Sequence, residues 1–166
     1  MEFLEKNLEE IICTTDNFDL NDRGLDCLTG FKKRQLSIGR YGKADIVTFQ
    51  KQDHNKIIDD TEYSLITVYE LKKDKIGISA FLQALRYVKG ISRYLTKRNI
   101  QFEYRFKIVL IGKSVDTTGS FIYLPDLFND LTDDAFCSIQ FYTYEYTFEG
   151  ISFRYHDSYR LTEEGF

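Results

Sequence analysis

The run Tyr63-Ser64-Leu65-Ile66-Thr67-Val68-Tyr69-Glu70-Leu71 is almost continuously apolar or aromatic. A strand packed on one face alternates apolar and polar residues, whereas a strand covered on both faces does not. The run therefore predicts a central strand buried on both sides. After it, Ile78, Phe81, Leu85, Val88, Ile91 and Leu95 recur every three or four residues, which predicts a helix from about Gly77 to Thr96. Phe106-Lys107-Ile108-Val109-Leu110-Ile111 then reads as a second buried strand. Strand, helix and strand in that order make a right-handed crossover that places the two strands parallel in one sheet. This unit alone puts the chain in the α/β class.

The flanking segments extend the same plan. Leu4, Leu8, Ile11 and Ile12 have helical spacing, so a first helix is expected from about Glu2 to Cys13, with Glu5 and Glu9 beside its apolar stripe. Thr14 to Arg23, rich in Asp and Asn and followed by Gly24, reads as a loop. Between Phe31 and Gln50 two β-prone stretches flank Gly39-Arg40-Tyr41-Gly42, which predicts a hairpin-like connection with Asp45 at the start of its second strand. Pro125 to Leu131 predicts a short helix, and Ser138 to Phe148 with Ile151 to Tyr155 a β-hairpin turning at Glu149-Gly150. The expectation is one domain over residues 1–166, with its core in 2–111 and a β-rich extension in 112–166. A chain of this length buries a core without staples.

Composition narrows the function classes. Cys13, Cys27 and Cys137 are scattered, with no CxxC pair and no nearby His, so they read as reduced thiols rather than a zinc site or a disulfide framework. No basic, apolar leader opens the sequence and no stretch nears the ~20 apolar residues of a membrane span, so a soluble cytoplasmic protein with no membrane partner is expected. The formal net charge of -4 would seem to exclude a phosphate-rich partner. Distribution says otherwise. Lys32, Lys33, Arg34, Arg40 and Lys43 stand together without an acid, and from Lys72 to Arg98 eight basic residues face Asp74 alone. The acids gather later, from Asp116 through Asp133 and Asp134 to Glu163 and Glu164. A basic face on an acidic body is the expectation.

The chemistry-bearing pattern is Asp45, opening one strand, followed by Glu70-Leu71-Lys72 at the end of the next. Residues two apart on a strand share a face, so Glu70 and Lys72 point the same way and Leu71 the other. Ionisable groups on a central strand cost several kcal/mol unless paired or metal-bound. Two carboxylates with the Leu71 backbone carbonyl suit a hard, oxygen-seeking ion that keeps some of its waters, which points to Mg²⁺ or Mn²⁺.

Asp45, Glu70 and Lys72 in this order resemble the signature of the PD-(D/E)xK nuclease superfamily, with Ala44 where a proline often stands. Gln83 and Tyr87 on the following helix are similar to the QxxxY element of its RecB-like branches. The resemblance implies a restriction-endonuclease-like mixed sheet flanked by helices, an αβββαβ core here carrying an extra C-terminal hairpin. It also implies a Mg²⁺- or Mn²⁺-dependent endonuclease acting on DNA, with RNA left open and a homodimer to be tested. Asp45, Glu70 and the Leu71 carbonyl would be metal ligands. Glu9 would be the first-helix carboxylate, with Glu5 and Glu10 as alternatives. Lys72 would act on the water or the transition state, and Gln83 would support it. Arg40, Lys43, Lys73, Arg86 and Tyr87 would lie along the nucleic-acid backbone. A rival reading keeps the fold as a nucleic-acid-binding or assembly module with little turnover. A third makes the Tyr-rich hairpin a contact surface; the row Tyr142, Tyr144, Tyr146 and Phe148 could stack bases, but core packing or a subunit interface is its better explanation. Gly112-Lys113-Ser114 lacks a phosphate loop's glycines and reads as a strand-end turn, and Asp19 to Gly24 lacks a calcium loop's closing Glu. His54 and His156 stand in polar surroundings and are given no role.

Overall fold

The computed structural model describes residues 5–53, 62–100, 103–131 and 137–157. Leu4, His54, Asp133, Asp134, Glu163 and Glu164 lie outside them. Helix α1 (Glu5–Thr14) and the short α2 (Asn17–Asp22) precede strands β1 (Phe31–Ser37), β2 (Lys43–Asp53) and β3 (Glu62–Leu71). A two-residue β4 (Lys75–Ile76) leads into the long helix α3 (Ile78–Lys97), which is followed by β5 (Glu103–Gly112) and β6 (Ser114–Val115). Helix α4 (Tyr123–Leu131), β7 (Cys137–Thr147) and β8 (Gly150–His156) complete the described chain.

Six strands form one mixed sheet in the order β1-β2-β3-β5-β7-β8. The first three are antiparallel, β3, β5 and β7 are mutually parallel, and β8 returns antiparallel along β7. The apolar run of β3 is thus central, as its lack of alternation requires. Ile66 and Val68 join Ile108, Leu110, Phe141 and the inner face of α3 in one core. Tyr69 and Leu71 turn the other way, onto Leu8 and Ile12 of α1 and Leu20 of α2. The sheet is therefore sandwiched, with α3 on one side and α1 and α2 on the other.

One expectation needs correction. The segment read as a loop after α1 contains helix α2, because Asp16 accepts hydrogen bonds from the Phe18 and Asp19 amides and so satisfies the free donors of a first turn. The Asp and Asn residues taken as loop formers are its cap and its exposed face. The C-terminal hairpin forms as expected and joins the main sheet. β7 pairs along β5 from Phe106↔Cys137 to Gly112↔Thr143, so residues after 112 supply two of the six sheet strands. Its aromatic row divides: Tyr142 and Tyr144 are buried, whereas Tyr146 and Phe148 are exposed. The Gly112-Lys113-Ser114 turn does end a strand, and β6 then pairs with β4 as a small second sheet.

Candidate functional site

The sheet's regular pairing breaks where the sequence concentrates its charge. The β2–β3 ladder runs to Ile46↔Tyr69. One step further Asp45 would face Glu70, but Asp45 Oδ2 instead accepts a hydrogen bond from the Leu71 amide at 2.9 Å. A carboxylate therefore takes the place of a ladder carbonyl. On β2, Ala44 and Val47 both pack into the α3-side core although three positions separate them, so the two-residue alternation slips at Asp45.

The neighbouring strand slips at the same level. Gln35 has φ +48, a left-handed conformation uncommon for a non-glycine residue, and it falls between the pairs Arg34↔Ile46 and Leu36↔Ala44. Its side-chain amide meets Glu9 Oε2 and also lies 3.4 Å from Asp45 Oδ1. Glu9 is only 5% exposed, and its other oxygen accepts from Arg34 Nε at 2.8 Å. Glu9 thus reaches Asp45 through Gln35. Glu5, one helical turn earlier, accepts from the Lys73 amide at 3.1 Å, and its charge is felt at Asp45, Glu70 and Lys72.

On the other side of the break, Glu70 is 1% exposed. Its Oε1 takes a 2.6 Å hydrogen bond from Lys72 Nζ, and its Oε2 is buried with no hydrogen-bond partner. Lys72 Nζ lies 3.4 Å from Gln83 Oε1, and Gln83 Nε2 donates to the Tyr87 hydroxyl at 2.7 Å. The helical spacing of Gln83 and Tyr87 thus places them in one chain of contacts, Glu70–Lys72–Gln83–Tyr87. Tyr87 is held in turn by the hairpin. A Cβ on Gly42, whose φ is +106, would stand 3.0 Å from the Tyr87 ring.

Burial dominates the electrostatics. It pushes the Glu70 carboxyl up to about 7; the Lys72 hydrogen bond opposes this and the nearby Asp45 charge adds to it. Asp45 is raised for the same first reason, against the pull of the Leu71 amide and of Lys72. Burial works against the Lys72 ammonium, but the hydrogen bond and charge of Glu70 outweigh it and hold the group above its ordinary value. Burial disfavours the charged form of both carboxyls, and the Asp45 charge adds to the penalty at Glu70, a tension that a cation beside them would relieve.

The structure therefore brings together Asp45, Glu70, Lys72, Gln83 and Tyr87, with Glu9 one residue removed. The predicted cations are more dispersed. Arg86 lies over the Tyr87 ring at 5.8 Å, close to the site. Arg40 sits at the hairpin tip, over Tyr41 at 5.3 Å. Lys43 is exposed opposite Ser37. Lys73 contributes its backbone, its amide to Glu5 and its carbonyl to the Tyr144 hydroxyl at 2.6 Å. Arg34 enters the sequence reading only as part of the basic cluster, and Gln35 not at all, because a lone Gln on a strand carries no mark of a left-handed backbone.

Among the described residues no three His, Cys, Asp or Glu side chains group as a ready cation site, and no helix is long and apolar enough to cross a membrane. Cys13, Cys27 and Cys137 form no disulfide among the described residues. Set against family models, curated proteins and solved structures, the chain matches none, so the chemistry of this constellation rests on its own geometry.

Proposed function

We propose that the protein is a divalent-metal-dependent nuclease that hydrolyses phosphodiester bonds, with DNA as the substrate to test first and RNA beside it. The observation that carries this reading is Glu70 Oε2, a buried carboxylate oxygen without a partner beside a second raised carboxyl and an ammonium. Leaving such an atom unsatisfied costs about 1–3 kcal/mol or more for a charged group, a cost that function can explain. The donor set is oxygen only, which suits Mg²⁺ or Mn²⁺. Asp45 and Glu70 would hold the ion with the Leu71 carbonyl, and waters and phosphate oxygens would fill the remaining positions, as Mg²⁺ accepts. When bound, the metal would supply a more acidic water and offset charge on the phosphate.

The chain's own residues do the rest. Lys72, held above its ordinary pKa, stays protonated and serves as a positive charge and hydrogen-bond donor to phosphate rather than as a base. Gln83 limits where Lys72 swings, and Tyr87 fixes Gln83. Glu9 and Gln35 orient Asp45 from the other side of the sheet. Arg86 of α3 and Lys43 of the hairpin would meet neighbouring phosphates. Incubating the protein with labelled DNA and RNA in Mg²⁺, Mn²⁺ or EDTA tests the reading. Cleavage should require metal and fall by about 10²-fold or more in Lys72→Ala, the scale on which loss of one electrostatic stabiliser is felt. Cleavage indifferent to both EDTA and that substitution would exclude it.

One observation favours the quieter alternative, a binding or assembly module. Both Glu9 oxygens and Asp45 Oδ2 already accept hydrogen bonds from protein donors, which lowers the need for a cation. Salt-sensitive oligonucleotide binding with no cleavage under either metal would establish that role.

A further inference from the structure

A cleft of about 820 Å³ opens between the β1–β2 hairpin and the C-terminal half of α3, within the roughly 300–1,000 Å³ typical of ligand sites. Its floor is apolar, with Leu36 and Ile38 on one side and Ile91 on the other. Gly90 lets the hairpin seat closely on α3 at the cleft wall, since a Cβ there would lie 2.5 Å from Ile38 and 2.7 Å from the Tyr41 ring. Tyr41 and Tyr94 line the cleft with Arg40, Arg93 and Lys97, and no acid is among its lining residues. Arg40 and Arg93 both donate to the Tyr41 hydroxyl, at 3.3 and 2.8 Å. Neither guanidinium is paired with a carboxylate among the described residues. Tyr94 is 57% exposed, with the Arg98 guanidinium over its ring at 5.3 Å.

The cleft is joined to the candidate catalytic residues by a track of charge. Arg86, Lys89, Arg93 and Lys97 are all exposed and follow one another at steps of three or four along α3, on one side of the helix. α3 contains no acid. The stripe begins beside Tyr87 and ends at the cleft, about 16 Å along the axis at 1.5 Å per residue. That is the reach of about two to five nucleotides at 3.4 Å or more per step of one strand. Evenly spaced cations that lead to an aromatic, apolar, acid-free recess match a polynucleotide whose phosphates follow the helix and whose base enters the recess. In a duplex the bases are stacked and paired, and flipping one out costs a few kcal/mol, so an unpaired nucleotide enters most readily.

We infer that this cleft receives an unpaired base a few nucleotides from the scissile phosphate, which makes the substrate class single-stranded or single-strand-tailed nucleic acid. This rests on the nuclease reading and adds the form of substrate. The test measures binding in EDTA of fluorescent single-stranded DNA, single-stranded RNA, blunt duplex and tailed duplex, followed by cleavage of each with Mg²⁺. Tyr94→Ala and Arg93→Ala change exposed side chains, and thermal melting checks that they fold. Arg154→Ala removes an exposed cation from the far edge strand as a control.

Single-stranded and tailed forms should bind more tightly than the blunt duplex. The cleft variants should lose about tenfold or more on those forms, the scale of one lost base stack, and little on the blunt duplex. The Arg154 variant should be unchanged. Equal losses on blunt and tailed forms, or no loss on tailed forms, would overturn the inference. So would tighter binding to phosphatidylserine vesicles than to any oligonucleotide. If the wild type cuts DNA without preferring tails, the inference fails and the nuclease reading stands. If it cuts nothing while the cleft variants still lose tail binding, the nuclease reading fails and the unpaired-base site stands.

Discussion

At the scale of single residues, Glu70 sets the sharpest expectation. Its carboxyl is pushed up to about 7 in the fold, against 4.5 when unburied. Between those values the folded state binds more protons than the unfolded state, so stability from this group is greatest below about 4.5 and is lost as pH rises through 7. Glu70→Gln keeps an oxygen for Lys72 and removes the ionisation. At pH 8 without metal the variant should be more stable than the wild type by up to about 3 kcal/mol, converging toward pH 5. Denaturant melts of both proteins at the two pH values check it, and a variant less stable at pH 8 would show that the Glu70 charge is already compensated. Cleavage should disappear in the same variant. The sequence made Glu70, Lys72, Gln83 and Tyr87 legible because strand alternation and helix periodicity dictate which side chains share a face. Gln35 was not legible, since its role comes from a left-handed φ that its residue type does not favour.

At the scale of elements, the site depends on how the β1–β2 hairpin is pinned to α3. The hairpin was predicted from its β-prone flanks, and its tight tip, with Ile38 N–H bonding the Gly42 carbonyl at 2.8 Å, brings Gly42 onto Tyr87. What pattern reading did not supply is the irregularity at Gln35 and Asp45, because period-two reasoning assumes an unbroken pleat. Gly42→Ala tests the pinning. Its φ of +106 with ψ near -156 is a region almost confined to glycine, and the added methyl would press on Tyr87. The variant should lose about 1–3 kcal/mol of stability. Because Tyr87 holds Gln83 and Gln83 touches Lys72, it should also lose turnover out of proportion to substrate binding. Unchanged melting and unchanged kcat would mean that the hairpin tip moves freely over the helix.

At the scale of the whole molecule, the segment read as an extension after residue 111 supplies two strands of the main sheet, β7 and β8. Local patterns revealed β7 and β8 as strands, but nothing local encodes which strand β7 joins, and it joins the central β5 in parallel. Cys137, Ile139 and Phe141 enter the α3-side core, while Tyr142 and Tyr144 enter the opposite one. Tyr144 also donates to the carbonyl of Lys73, next to the candidate catalytic lysine. At roughly 1.5–3 kcal/mol per buried large side chain, removing β7 forfeits on the order of 10 kcal/mol, comparable with the whole stability of a domain, about 5–15 kcal/mol. It would also expose the edge of β5 as a template for association. A chain ending at residue 131 should therefore be aggregated or lack a cooperative melt, with no cleavage, when followed by circular dichroism and size-exclusion chromatography. A monomeric fragment with a sharp transition would show that the four remaining strands of the main sheet form a self-sufficient core and that β7 and β8 are added to it.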